Sequence, residues 1–315
     1  MDGNGGDFLV LSVIIPAYNE EAMIKKTVHA IGNILTAESI PHELLFIDDG
    51  SKDNTWKSIE QMAKEQQGVR GIHFSRNFGK ESAMFAGLEE VRGDCCVIID
   101  CDLQHPPEKI VEMYRLWEQG YEVVEGVKRS RGRESGLHTF AVKCFYKIIS
   151  SAVKIDMSKA SDFKLLDRKV IDVLLKMPEK DAFFRALSSW VGFKSIQVEY
   201  DVQEREAGES KWSTLSLIKY AVTNITSFTT APMQCVTVLG IIMLCISFLL
   251  AIHAFYQKVI GVALGGFTTV IILQCFTGSV IMISLGIIGY YIAKSYEEIK
   301  GRPKYIIAER VGGED

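Results

Sequence analysis

The sequence predicts an α/β domain with a mostly parallel sheet, followed by an interfacial helix and a two-helix transmembrane hairpin. Three observations carry that expectation. Apolar runs alternate with helical patterns from residue 8 to about residue 200. Some of those runs are unbroken, as "VLSVII" and "CCVIID" are, and after Ala231 the composition becomes apolar and nearly uncharged. Alternating strands and helices give a parallel sheet covered on both faces. Strands buried on both faces read as continuous hydrophobic runs. A chain of 315 residues has room for one such domain and an addition.

Strands are expected at Leu9–Ile15, Glu43–Ile47, Gly71–Phe74, Cys95–Ile99 and Glu122–Val127. Between them, helical patterns occupy Glu20–Leu35, Asn54–Glu65, Lys80–Val91 and Pro107–Glu118. Farther on, Met233–Tyr256 and Gly266–Ala293 contain no Asp, Glu, Lys or Arg. A bilayer core is spanned by about 20 apolar residues. Two buried helices of a soluble domain are the competing reading, but such helices are seldom so long and uncharged. The intervening Gln257–Ala263 is too short for a domain, so residues 233–256 and 264–293 form a hairpin. Lys211 and Lys219 precede it, Lys294, Lys300, Arg302 and Lys304 follow it, and the loop carries only Lys258. By the positive-inside bias, residues 1–210 and the tail 294–315 face the cytoplasm, and the chain is a multi-pass protein of the cytoplasmic membrane. Residues 211–232, with Trp212, Leu215, Leu217, Ile218 and Tyr220, read equally as a membrane-plane amphipathic helix or as an ordinary packing helix.

The 35 basic and 39 acidic residues leave a net charge of −4, which argues against bulk nucleic-acid binding. The seven cysteines lack metal-type spacing and read as reduced, small hydrophobes. Met1–Asp7 has no basic region followed by an apolar core, so no secretory signal is expected.

Polar clusters fall where strands end. Pro16-Ala17-Tyr18-Asn19-Glu20 follows the first strand and Asp48-Asp49-Gly50-Ser51 the second. Ligands of open α/β sheets bind outside the carboxyl ends of the strands, where Asp48 and Asp49 would hydrogen-bond a nucleotide's base and ribose. The plainer alternative makes Asp49-Gly50 a turn, and Asp53 reads as a helix cap. The fourth strand ends in Asp100-Cys101-Asp102, then Leu103-Gln104-His105-Pro106-Pro107. Two carboxylates one residue apart suit Mg²⁺ or Mn²⁺, which fills its remaining positions with substrate phosphates and water. His105 reads as a ligand or as a turn residue.

"SVIIPAYNEE", "IDDGSKDNT", "SRNFGKESAMFAGL" and "IDCDLQHPPE", in this order, resemble glycosyltransferase family 2. The polyprenyl-phosphate branch, with its bactoprenol glucosyltransferases and dolichol-phosphate mannose synthases, is the most similar. The resemblance implies a GT-A type nucleotide-sugar-binding fold and an inverting hexose transfer onto undecaprenyl or another polyprenyl phosphate. UDP-glucose is the favoured donor; GDP-mannose, UDP-N-acetylhexosamine and UDP-aminoarabinose are alternatives. A saccharide acceptor, or a silent scaffold that binds nucleotide sugars, are further alternatives. Carried over, Pro16, Tyr18, Glu20 and Asp49 line the nucleotide pocket with Asp48 nearby, and Arg76, Asn77 and Lys80 sit beside it. Asp100 and Asp102 approach the metal, and Gln104 the donor. "SDFKLL" resembles the segment bearing the catalytic carboxylate, which makes Asp162 the base or a positioning group. Arg205, Ser210 and Lys211 match an Arg-x-x-Gly-x-Ser-Lys motif and form an acceptor-phosphate clamp. The basic loop with Arg129 and Arg131 reads as further phosphate contact, as a solvated charge run, or as attraction to anionic lipid headgroups. The resemblance also implies a homo-oligomer, with Glu297–Arg310 as a candidate contact.

Overall fold

The computed structural model describes residues 11–129, 161–177, 183–201, 231–261 and 266–313. Two compact units emerge: residues 1–214 together with 303–315, and residues 215–302.

The first unit is built on an eight-stranded sheet. Strand β1 (Leu11–Ala17) lies inside it, parallel to β2 (His42–Asp48) on one side and to β4 (Cys95–Ile98) on the other. Strand β3 (Val69–Phe74) extends the parallel set beyond β2. Strand β6 (Lys164–Asp167) runs antiparallel between β4 and β5 (Val123–Lys128), and β7 (Ser195–Tyr200) pairs parallel to β5. The opposite edge is closed by β8 (Ile307–Val311), antiparallel to β3. The order is therefore β7-β5-β6-β4-β1-β2-β3-β8.

Every residue of β4 is buried, as are all but Pro16 in β1 and all but His42 in β2. Both sheet faces must therefore be covered. The covering helices are α1 (Glu21–Ala37), α2 (Thr55–Glu65), α3 (Lys80–Glu90), α4 (Glu108–Glu118), α5 (Arg168–Leu175) and α6 (Phe184–Trp190). Helix α1 packs with α2 and α4, whereas α3 packs with α5, and α5 with α6. Proline has no N–H for the ladder, and β1 pairs with β4 only as far as Ile14, just before Pro16. Far from the carboxyl ends, buried Glu43 accepts hydrogen bonds from Ser12 Oγ at 2.6 Å, Arg70 Nη1 at 2.8 Å and Arg92 N at 2.9 Å. That saturated carboxylate ties β1, β2 and β3 together at the end away from the site.

In the tail, Ile307–Val311 pairs with the β3 edge of its own sheet, an element that the sequence patterns do not predict. Tyr305 stacks on Phe74 with ring centroids 4.9 Å apart, and Trp56 Nε1 donates to Glu309 at 2.9 Å. An open strand edge is a row of unpaired backbone groups, and β8 satisfies it.

The second unit contains α7 (Ala231–Val259) and α8 (Phe267–Ile299), which pack on each other. Met233–Gln257 and Phe276–Ile299 are long and apolar enough to cross a membrane, and 6% and 0% of their most apolar windows are buried. A buried core helix does not look like this. Leu244, Phe248, Phe255 and Met282 are each about two-thirds exposed or more, a surface that marks an apolar environment. Residues 211–230 of the expected interfacial segment lie outside the described residues.

Candidate functional site

The loops after β1 and β2 are stitched together by their own polar side chains. Asn19 N donates to Ser51 Oγ, Lys52 N to Asn19 Oδ1 and Glu20 N to Thr55 Oγ1, each at 2.9 Å. Asn19 adopts φ 55°, a left-handed conformation that Asn tolerates better than most residues. Asp53, one residue before the Asn54 N-cap of α2, accepts from Thr55 N at 3.1 Å and Glu21 N at 3.3 Å, so it steadies the starts of α2 and α1 without being the expected cap. Tyr18 stands exposed at the rim, and Pro16 and Glu20 are half-buried.

Asp48 and Asp49 diverge. Asp48 is fully buried; its Oδ1 accepts from Ser51 N at 3.0 Å, and its Oδ2 lies 2.7 Å from His73 Nδ1. It therefore supports the loop from beneath. Asp49 accepts from Phe78 N at 2.6 Å and Gly79 N at 2.9 Å, fixing the loop that leads into α3. Burial pushes the Asp49 carboxyl up to about 6, against those two hydrogen bonds. Gly50 lies so close to this loop, at φ +66°, that a Cβ would stand 2.3 Å from the Arg76 carbonyl carbon.

A charge cluster lies beyond the end of β4. Lys80, at the first turn of α3, places Nζ 2.6 Å from Asp100 Oδ1 and 3.0 Å from Asp162 Oδ2. Arg185, at the start of α6, grips Asp162 with both arms of its fork, Nε to Oδ1 at 2.6 Å and Nη2 to Oδ2 at 2.8 Å. Burial alone would raise the Asp162 pKa, but Lys80 and the Arg185 fork hold it well below the usual carboxylate range. Asp162 is thus a fixed anion. Burial likewise opposes ionisation of Asp100, and Lys80 overcomes it. Glu81 accepts from Phe184 N at 2.9 Å, which anchors α6 and hence Arg185. Burial and the nearby Asp162 charge push Glu81 up to about 7.

Asp102 is buried and accepts from Gln104 N at 3.1 Å, across a turn in which Leu103 is left-handed at φ 54°. His105 stacks on Phe163 at 4.9 Å, and its Nδ1 is buried without a hydrogen-bond partner. Burial lowers its pKa, which makes it a neutral packing ring. No group of three His, Cys, Asp or Glu side chains converges among the described residues. Asp100 and Asp102, one residue apart beyond β4, are oxygen donors of the kind a hard divalent cation takes.

Arg129 pairs with acidic neighbours, at 3.1 Å to Asp201 and 3.5 Å to Glu199. Arg131, Arg205, Ser210 and Lys211 lie outside the described residues. Arg185, Glu81 and His73 were missed by the sequence reading. Arg185 sits in "DAFFRALSSW", an apolar stretch with no charge pattern to single it out.

Residues 12–174 match the family described as Glycosyl transferase family 2. A prophage bactoprenol glucosyl transferase homolog of Escherichia coli (strain K12) is 35% identical over 300 residues, covering 94% of this chain and 98% of that one. The chain belongs to glycosyltransferase family 2. This glycosyltransferase is also 37% identical over 306 residues to the uncharacterized glycosyltransferase YkcC of Bacillus subtilis (strain 168), covering 96% and 95% of the two chains. It is 34% identical over 303 residues to the bactoprenol glucosyl transferase of Shigella phage SfX, covering 95% and 99%. Among solved structures, mannosyl-3-phosphoglycerate synthase from Rubrobacter xylanophilus aligns over 70% of this chain and 73% of that one, at 18% identity and a TM-score of 0.49. The enzyme's mostly parallel α/β sheet is the GT-A type of architecture that its motifs imply.

Proposed function

We propose that this glycosyltransferase moves a hexose, with UDP-glucose as donor, onto undecaprenyl or another polyprenyl phosphate at the cytoplasmic face of the cell membrane. One observation carries the reading: proteins named bactoprenol glucosyl transferase match 94–95% of this chain, a span too long to leave out α7 and α8. The apolar surface of those helices supports a reaction whose acceptor is dissolved in lipid.

Pro16, Tyr18, Glu20 and Asp49 border the pocket we assign to the nucleotide, with Gln104 toward the donor's diphosphate. Asp100 and Asp102 would hold a Mg²⁺ or Mn²⁺ ion, which would supply Lewis-acid neutralisation of the departing diphosphate. The acceptor is a phosphate monoester with a second pKa of about 6, so its attacking oxygen is already largely deprotonated at neutral pH. A residue held as anionic as Asp162 is poorly matched to proton abstraction, which works best with a pKa near the operating pH. Asp162 instead orients the acceptor and faces the positive charge that develops at the anomeric carbon, while the Arg185 fork offsets its repulsion of the phosphate. Arg131, Arg205, Ser210 and Lys211 complete the acceptor's phosphate contacts.

Full-length enzyme in lipid nanodiscs, given labelled UDP-glucose, Mg²⁺ or Mn²⁺ and undecaprenyl phosphate, should transfer label into the lipid phase. GDP-mannose, UDP-N-acetylhexosamine and UDP-aminoarabinose form parallel arms that read the sugar. Absence of lipid labelling from every donor would sink the proposal.

A further inference from the structure

The unequal partners of Asp100 and Asp162 point to a further role for Lys80. Asp162 carries two cationic partners, because Arg185 covers both its oxygens and Lys80 adds a third contact. Asp100 is served differently. Among the described residues, Lys80 is the only ammonium or guanidinium at ion-pair distance from it, at 2.6 Å. If the Lys80 side chain swings away, Asp162 keeps its fork, whereas Asp100 becomes a partly buried carboxylate with no countercharge. Such a vacancy is filled by another cation or penalised.

We propose that Lys80 is an exchangeable cation at Asp100, which a divalent metal displaces and which then takes the donor's diphosphate as its new anionic partner. Two observations make the exchange feasible. Lys80 is long, flexible and 41% exposed at its side chain, so it can reorient without unpacking the core. It also starts α3 directly after the loop fixed by Asp49, so its backbone stays in place while its ammonium moves. An ammonium and a divalent ion cannot share Asp100 cheaply, since like charges a few ångströms apart repel strongly in a partly desolvated site. Metal loading and donor loading are thereby coupled. The cation enters readily only when a diphosphate arrives to take over Lys80, and empty enzyme retains little metal.

This inference rests on the metal reading of Asp100 and Asp102, and the test separates the two. Mn²⁺ binding to full-length enzyme in nanodiscs is followed by loss of the free-ion electron paramagnetic resonance signal. It is measured with and without uridine or guanosine diphosphate, for wild type, Lys80→Met, Lys80→Arg and Asp100→Asn. Wild type should bind Mn²⁺ weakly alone and more tightly with nucleotide. Lys80→Met should bind Mn²⁺ about ten-fold more tightly without nucleotide, because the competing charge is gone, and should gain less from nucleotide. Lys80→Arg, which keeps the charge, should resemble wild type, and Asp100→Asn should lose the site. A folded Lys80→Met enzyme, verified by its melting transition, with Mn²⁺ affinity equal to or below wild type would overturn the exchange while leaving the metal site standing. Absence of Mn²⁺ binding in wild type with nucleotide and in Lys80→Met alike would remove the metal reading itself, and the exchange with it.

Discussion

At the scale of single residues, the site depends on carboxylates whose neighbours set different charge states. Asp162 is held ionised by the Arg185 fork and Lys80, so removing Arg185 loosens the group rather than merely altering a surface. Arg185→Ala should lower kcat about 100-fold, the penalty typical of a reacting group displaced by an ångström. The donor KM should change little, and Arg185→Lys should recover only part of the loss because it cannot fork; steady-state kinetics reads both. Glu81 behaves oppositely, with its carboxyl pushed up to about 7. The folded chain therefore holds a proton on Glu81 that the unfolded chain releases near its ordinary value of 4.5. Stability from this group is fully present below that value and is lost as pH rises through about 7. Glu81→Gln cannot ionise, so its melting temperature should fall less than that of wild type between about pH 5 and pH 8, a difference of about 1 kcal/mol or more. The paired Asp100 and Asp102 were legible because they end an apolar strand. The burial of Asp48 was not, since it depends on the register that sets Asp48 beside His73 in the neighbouring strand, and a linear pattern does not reveal such pairing.

At the scale of elements, hydrophobic runs located β1 to β5 and α1 to α4 within a few residues, because each buries a continuous or one-sided apolar surface. The antiparallel β6 and the edge strand β7 escaped notice. Strand β6 is four residues long and begins with Lys164, a buried ammonium 3.0 Å from Glu125 and 2.8 Å from Ser188 Oγ. A lysine at a strand's start reads as surface, yet here it locks the segment that presents Asp162. The loop after β2 is equally constrained. Gly50→Ala would force a left-handed alanine against the Arg76 backbone. It should destabilise the enzyme by more than about 2 kcal/mol, seen as a lower melting temperature together with weaker nucleotide binding, because the Asp49-held loop must shift.

At the scale of the whole molecule, the sequence divides the chain into a domain, a linker, a hairpin and a tail, whereas the sheet takes strands from both sides of the hairpin. Strand β8 is separated from β3 by the entire apolar unit, and no local pattern connects Phe74 with Ile307. A sheet that takes strands from before and after α7 and α8 requires an even number of membrane crossings between them. Cysteine-labelling or fusion reporters should therefore place residues 201 and 313 on one side of the membrane, and the turn at Ile260–Gly261 on the other. Labelling of residues 201 and 313 from opposite sides would contradict that topology. The same arrangement has a consequence for biosynthesis. While the chain is being made, β3 emerges early and waits with an unsatisfied edge until both apolar helices have been synthesised and β8 has followed them. The first unit's sheet is thus complete only after both apolar helices have been made, because β8 follows them in the chain.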